Sequence, residues 1–228
     1  MDAALTDLLT DRCSRYVDRV EASFVPKKDF YYAWSARNGV ATVQMSDYLE
    51  GAPDEVLADF GEMVVRRALR LKWEEPQSFL DFVRSDYFVV SRRPVFIRRS
   101  RNLMRTDRGE HRFLPDSVDR LMYAGLLTAD DITNSWFSWT RRDNLRRLGF
   151  CGTMFRVVGV SSVLDSPDIP DEMVDFVVYH ECLHLRQGYR PSSRVHDSQF
   201  RAWERRFPDS RAVEERLREL GGIRRQLF

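Results

Sequence analysis

The feature that most constrains this chain is the stretch Tyr179-His180-Glu181-Cys182-Leu183-His184, which contains H-E-x-x-H. On a helix, positions i and i+4 lie on one face about one turn apart. His180 and His184 can therefore point two imidazole nitrogens at a single Zn²⁺. Glu181 falls one residue past the first histidine, where it can reach a water on the metal without binding the metal itself. Zinc lowers the pKa of such a water to about 7, and Glu181 can take its proton. The spacing predicts the helix this requires: Pro170-Asp171-Glu172 reads as its start, Met173, Phe176, Val177 and His180 follow at helical spacing, and Gly188 reads as its stop.

A catalytic zinc takes three protein ligands and keeps a fourth position open. The third ligand expected here is His196. The gap from Leu185 to Val195 holds Gly188, Pro191, Ser192 and Ser193, so the chain can turn back. Asp197 to Trp203 then reads as a second helix entered from His196. Glu204, on that same helix, is the rival ligand; neutral imidazole suits zinc and favours His196. The remaining histidine, His111, lies in the charged stretch Asp107 to Arg112 and reads as a surface residue.

Residues 136–207 resemble the SprT-like and YgjP-like zinc metallopeptidases. The pieces that carry the likeness are Trp139-Thr140-Arg141-Arg142, a strand around Met154 to Val163, His180 to His184, and His196-Asp197-Ser198-Gln199-Phe200. The resemblance implies a zincin-like fold, zinc held by His180, His184 and His196, and Glu181 as general base. Asp197 departs from the usual small residue after the third histidine, Cys182-Leu183 stand between the first two, and no zinc ribbon follows. The likeness covers about a third of the chain and marks a class better than a subfamily.

Lys and Arg number 36 against 35 Asp and Glu, so bulk charge points to neither nucleic acid nor membrane binding. The start, Met1 to Asp7, lacks a basic region and a long apolar run, and no signal peptide is expected. No run approaches the ~18 apolar residues of a membrane span. Cys13, Cys151 and Cys182 form no C-x-x-C and fit a reducing cytoplasm.

Residues 3–22 read as one amphipathic helix. Phe30 to Trp34 and Val40 to Met45 read as strands around the turn Arg37-Asn38-Gly39, and Pro53-Asp54-Glu55 opens a helix to about Leu71. This order recurs. Tyr32 to Arg37 resembles Phe137 to Arg142, Val43 to Ser46 resembles Val158 to Ser161, and Pro53 to Val56 resembles Pro170 to Met173. Aligned from the prolines, Met63 and Arg67 fall where His180 and His184 stand, so the first copy would hold no metal. The pattern is either a degenerate duplication or two ordinary ββα units.

The expected organisation is an N-terminal helix with a ββα unit (residues 1–72), a mostly helical connector (73–132) and a metallopeptidase core with a C-terminal helix (133–228). The connector carries Arg92, Arg93, Arg98, Arg99, Arg101 and Arg105, read as a solvated face rather than a phosphate or nucleic acid contact. Arg146 and Arg147, in a turn before Gly149, read as facing water. Ser210 to Leu220 reads as a helix ended by Gly221-Gly222.

The expected fold class is α+β and zincin-like, with a small mixed sheet packed on the H-E-x-x-H helix. The expected function is zinc-assisted hydrolysis of peptide bonds in a peptide or protein substrate. Tyr189 is a candidate oxyanion donor, and Asp197 and Asp175 are the candidates to orient the ligand histidines. The other readings are a DNA-associated protease or adaptor and a structural zinc protein. Glu181 speaks against the last, since zinc binding alone does not need it.

Overall fold

The computed structural model describes residues 1–191 and 194–220. The chain is mixed α+β and divides into two compact units, Met1–Phe88 and Val89–Phe228. Each carries its own small mixed three-stranded sheet. Among the described residues, no helix is long and apolar enough to cross a membrane.

In the first unit, α1 (Ala3–Cys13) is capped by Asp2, whose carboxylate accepts from the Leu5 amide at 3.0 Å. It is followed by β1 (Arg19–Val25), β2 (Tyr32–Arg37) and β3 (Val40–Ser46). The helix expected over residues 3–22 thus stops at Cys13. Val17 and Val20 fit a helical period, but Val20 and Ala22 are buried two apart, which is the period of a strand. β2 and β3 form the expected hairpin, with Arg37 opposite Val40 and both turn residues, Asn38 and Gly39, at positive φ. A 3-10 turn (Asp47–Leu49) leads to α2 (Asp54–Ala68), which follows Pro53, and then to α3 (Gln77–Arg84).

The helix α4 (Asp86–Arg99) crosses the boundary, and its residues from Val89 onward belong to the second unit. That unit continues with α5 (Leu114–Tyr123), α6 (Ala129–Ile132), β4 (Trp136–Trp139), β5 (Gly149–Gly152), β6 (Val157–Val160), α7 (Asp171–Gln187), α8 (Ser198–Glu204) and α9 (Ser210–Leu220). The expected connector is therefore divided among α3, α4, α5 and α6. Gly221-Gly222, the expected stop after α9, lies outside the described residues.

The second sheet runs β4-β6-β5, with β4 parallel and β5 antiparallel to β6. All four residues of β6 are buried, as in a central strand covered on both faces. The strand expected over Met154 to Val163 is shorter, because 3-10 turns at Thr153–Phe155 and Ser162–Leu164 flank it. It is also not the sheet edge; β4 and β5 are. β5 escaped the sequence reading because Gly149 and Gly152 bound a four-residue strand, and glycine is a poor strand former.

The first sheet has the same plan: order β1-β3-β2, with β1 parallel and β2 antiparallel to β3. In both units a helix precedes the sheet, a 3-10 turn follows its central strand, and a long helix starts after a proline. Ser46 and Ser161 stand before those turns at φ −60°, ψ 136° and φ −63°, ψ 130°. In each unit an ion pair joins a helix before the sheet to the long helix after it: Arg12 of α1 with Asp59 and Glu62 of α2, and Arg120 of α5 with Asp175 of α7. The matches of Val43 to Ser46 with Val158 to Ser161, and of Pro53 with Pro170, follow this plan. The match of Tyr32–Arg37 with Phe137 to Arg142 is one strand out. Phe137 lies in β4, whose counterpart is β1, and the counterpart of β2 is β5.

The core of the second unit surrounds α7. Every residue from Met173 to Leu185 is buried. A helix apolar nearly all round needs cover on every side; here the sheet, α5, α8 and α9 supply it.

Candidate metal centre

The three residues of the H-E-x-x-H pattern lie deep in this packing: His180 is 2% exposed, Glu181 3% and His184 9%. The rings of His180 and His184 stand 5.0 Å apart, one turn along α7. Gly188, at φ 70°, ends the helix, and the chain returns His196 to within 5.1 Å of the His180 ring and 5.0 Å of the His184 ring. The Nε2 atoms of His184 and His196 are 3.3 Å apart. One ring nitrogen from each of the three histidines lies within 4.8 Å of the others, so the set could hold a metal ion.

The second helix fixes this return. Asp197 caps α8, its Oδ1 accepting from the Phe200 amide at 2.8 Å. Phe200, fully buried, then lies beneath all three imidazoles, with ring centroids at 5.1, 4.6 and 4.7 Å from His180, His184 and His196. The Tyr179 hydroxyl donates to the Trp203 carbonyl at 2.7 Å, tying α8 to α7. That contact brings Glu204 to His180, with Oε1 2.7 Å from Nδ1. Glu204 thus binds the outer nitrogen of a histidine in the cluster. With Nδ1–H donating to the carboxylate, Nε2 keeps its lone pair for a metal.

Electrostatics favour the neutral form of His184 and His196, the form that ligates. Burial, helped by His180, His196 and Arg147, pushes His184 down to about 3. Burial and His180 also lower His196. Burial alone would raise Glu204, but the His180 hydrogen bond and the neighbouring charges hold it below the usual carboxylate range. Glu181 goes the other way: burial pushes it up to about 7, against the pull of His180 and Arg147.

Compared with protein families, with curated proteins and with solved structures, the chain finds no match. The resemblance to SprT-like and YgjP-like peptidases, drawn from Trp139 to Arg142, the strand expected around Met154 to Val163, His180 to His184 and His196 to Phe200, gains no support from these comparisons.

Gly149, on the edge strand β5, makes room for Glu181. A Cβ there would meet Glu181 Oε1 at 2.5 Å and Cγ at 2.8 Å. Arg147 donates from Nε to the Gly149 carbonyl at 3.2 Å. Its side chain is exposed, as expected, yet its charge acts on both Glu181 and His184. Neither Gly149 nor Arg147 carries a sequence signal for this role, because both act through a strand the pattern does not reveal.

The other candidates lie elsewhere. Asp175 forms a two-point pair with Arg120 at 2.8 and 2.7 Å, and Asp197 caps α8 and pairs with Arg190, so Glu204 is the carboxylate on the histidines. His111 is exposed and outside the cluster. Tyr189 lines a pocket of about 210 Å³ beside His184, together with Cys151, Thr153 and Arg190. A pocket of about 420 Å³ opens on the side of His180, His196 and Glu204, with Arg201, Arg205 and Arg211 in its wall.

Proposed function

We propose that the chain is a zinc-dependent peptidase, with His180, His184 and His196 as the metal ligands and Glu181 as the general base. The observation that carries this is the 3.3 Å between the Nε2 atoms of His184 and His196. Two nitrogens about 2.0–2.1 Å from one tetrahedral zinc stand about 3.3–3.4 Å apart. Three imidazoles, one of them oriented by a carboxylate, are a donor set suited to zinc.

Zinc, when bound, supplies a Lewis acid that polarises the scissile carbonyl and acidifies water. The chain supplies the rest. Glu181 takes a proton from the attacking water and passes it to the leaving amine. Glu204 holds the tautomer of His180. Phe200 closes the underside of the three rings and excludes water there. Tyr189, in the wall of the pocket beside His184, is the candidate donor for the oxyanion of the tetrahedral intermediate. The edge strand β5, against which Glu181 packs, is where an extended peptide could add as a further strand.

The test is a cleavage profile of zinc-loaded wild type against Glu181→Gln on a proteome-derived peptide library. Cleavages present in the first and absent from the second support the reading. A zinc-loaded wild type that cuts nothing in the library favours a structural metal site instead.

A further inference from the structure

A further pocket, of about 530 Å³, lies in the same unit between the later turns of α4 and the start of β4. Its apolar wall is Val90, Pro94, Ile97 and Trp136, and its basic wall is Arg93, Arg98 and Arg105. Among the described residues, no carboxylate lines it. Pro94 sits inside α4 and has no amide hydrogen, so the helix cannot close its usual bond to the Val90 carbonyl at this point. Val90 is 59% exposed.

Arg93 is the unusual member. Its Nε and Nη2 are buried and have no hydrogen-bond partner among the described residues. Burial and the nearby Arg156 both disfavour its charge. Arg156 cannot move aside cheaply: its guanidinium is bound to the Thr133 and Asp131 carbonyls at 2.6 and 2.8 Å. A half-buried guanidinium with two nitrogens unpaired and a second cation beside it is a costly arrangement. A carboxylate or phosphate would satisfy it, since either accepts two parallel N–H bonds from the planar fork. Arg98 and Arg105 form no ion pair among the described residues and would add charge at the pocket mouth.

We propose that this pocket binds a small amphiphilic anion, its carboxylate or phosphate on Arg93 and its apolar body against Ile97, Pro94 and Trp136. The volume is that of a small-molecule site, and mostly apolar walls with a few convergent polar groups are the usual make-up of one. The proposal is independent of the metal centre, and neither zinc content nor peptide cleavage enters its test.

The test is calorimetric titration of the full-length protein with decanoate, phenyl phosphate and inorganic phosphate. Decanoate stands for an acyl source and phenyl phosphate for an aryl phosphate source. One of these two is expected to bind at least about tenfold tighter than inorganic phosphate, a difference of about 1.4 kcal/mol. Arg93→Met should weaken that ligand at least about tenfold and raise the unfolding midpoint of the ligand-free protein, because a half-buried charge with unpaired nitrogens is gone. Arg98→Gln, at an exposed position, should weaken the same ligand without loss of fold. The proposal is overturned if neither amphiphilic anion binds, if inorganic phosphate binds as well as they do, if Arg93→Met binds like wild type, or if that variant is less stable than wild type.

Discussion

Glu204 Oε1 lies 2.7 Å from His180 Nδ1, so a carboxylate on α8 sets the tautomer of a histidine on α7. The residue that competes with His196 as third ligand in the sequence is thereby placed behind the cluster. On this geometry, Glu204→Gln should still bind one zinc per chain, about 10–100-fold more weakly. His196→Ala should lose far more. Metal analysis with chelator competition separates the two, and undiminished affinity in His196→Ala would exchange their roles.

Glu181→Gln should retain its zinc and lose turnover by at least about 10²-fold. Gln is nearly isosteric, so α7 and its two histidines stay in place, but it cannot accept the proton. Wild-type cleavage by a zinc-loaded Glu181→Gln protein would show that Glu181 is not the base.

Gly149→Ala tests the same carboxylate from the other side. The added methyl would stand 2.5 Å from Glu181 Oε1, so strand and side chain must shift. We expect a stability loss of about 1–3 kcal/mol, read by urea unfolding, and a fall in turnover with zinc content unchanged. Full activity would mean that Glu181 is free to move off β5.

The pair of Asp131 with Arg186 gives a pH dependence with a definite sign. Burial alone would raise Asp131, but Arg186 at 2.7 Å and the Thr128 donors outweigh it, and the folded-state value is lowered. A lowered carboxylate contributes stability that is fully present above its unfolded value, about 3.9, and is lost as pH falls through the folded value. Asp131→Asn should therefore cost about 3–5 kcal/mol at pH 7, since it leaves Arg186 partly buried without its partner. The gap from wild type should close as the metal-free proteins are taken below about pH 4. A gap that is constant with pH would assign the effect to packing.

DNA should not bind at submicromolar concentration in physiological salt. The net charge of +1 supplies little attraction, and Arg92, Arg93 and Arg99 are half-buried while Arg98, Arg101 and Arg105 are exposed. Fluorescence anisotropy with single- and double-stranded DNA checks this. Tight binding lost on replacing Arg98 and Arg101 together would promote a nucleic acid role.

What the sequence determined by itself is local. The limits of α7 at Pro170 and Gly188, the one-turn spacing of His180 and His184, and the Asn38-Gly39 hairpin are set by backbone preferences and by side-chain period within a few residues. Where two periods overlap, the local signal misleads: Val20 fits a helical period with Val17 and a strand period with Ala22, and only pairing with β3 decides for β1. β5 has almost no local signal, because two glycines in four residues give no pattern, and it exists through its ladder with β6. The tertiary structure alone decided that Asp175 pairs with Arg120, that Glu204 rather than Asp197 reaches His180, and that Gly149 leaves room for Glu181. Each of these depends on contacts between residues 24 or more positions apart, such as the 24 between His180 and Glu204, where the relative placement of packed helices and strands sets who meets whom.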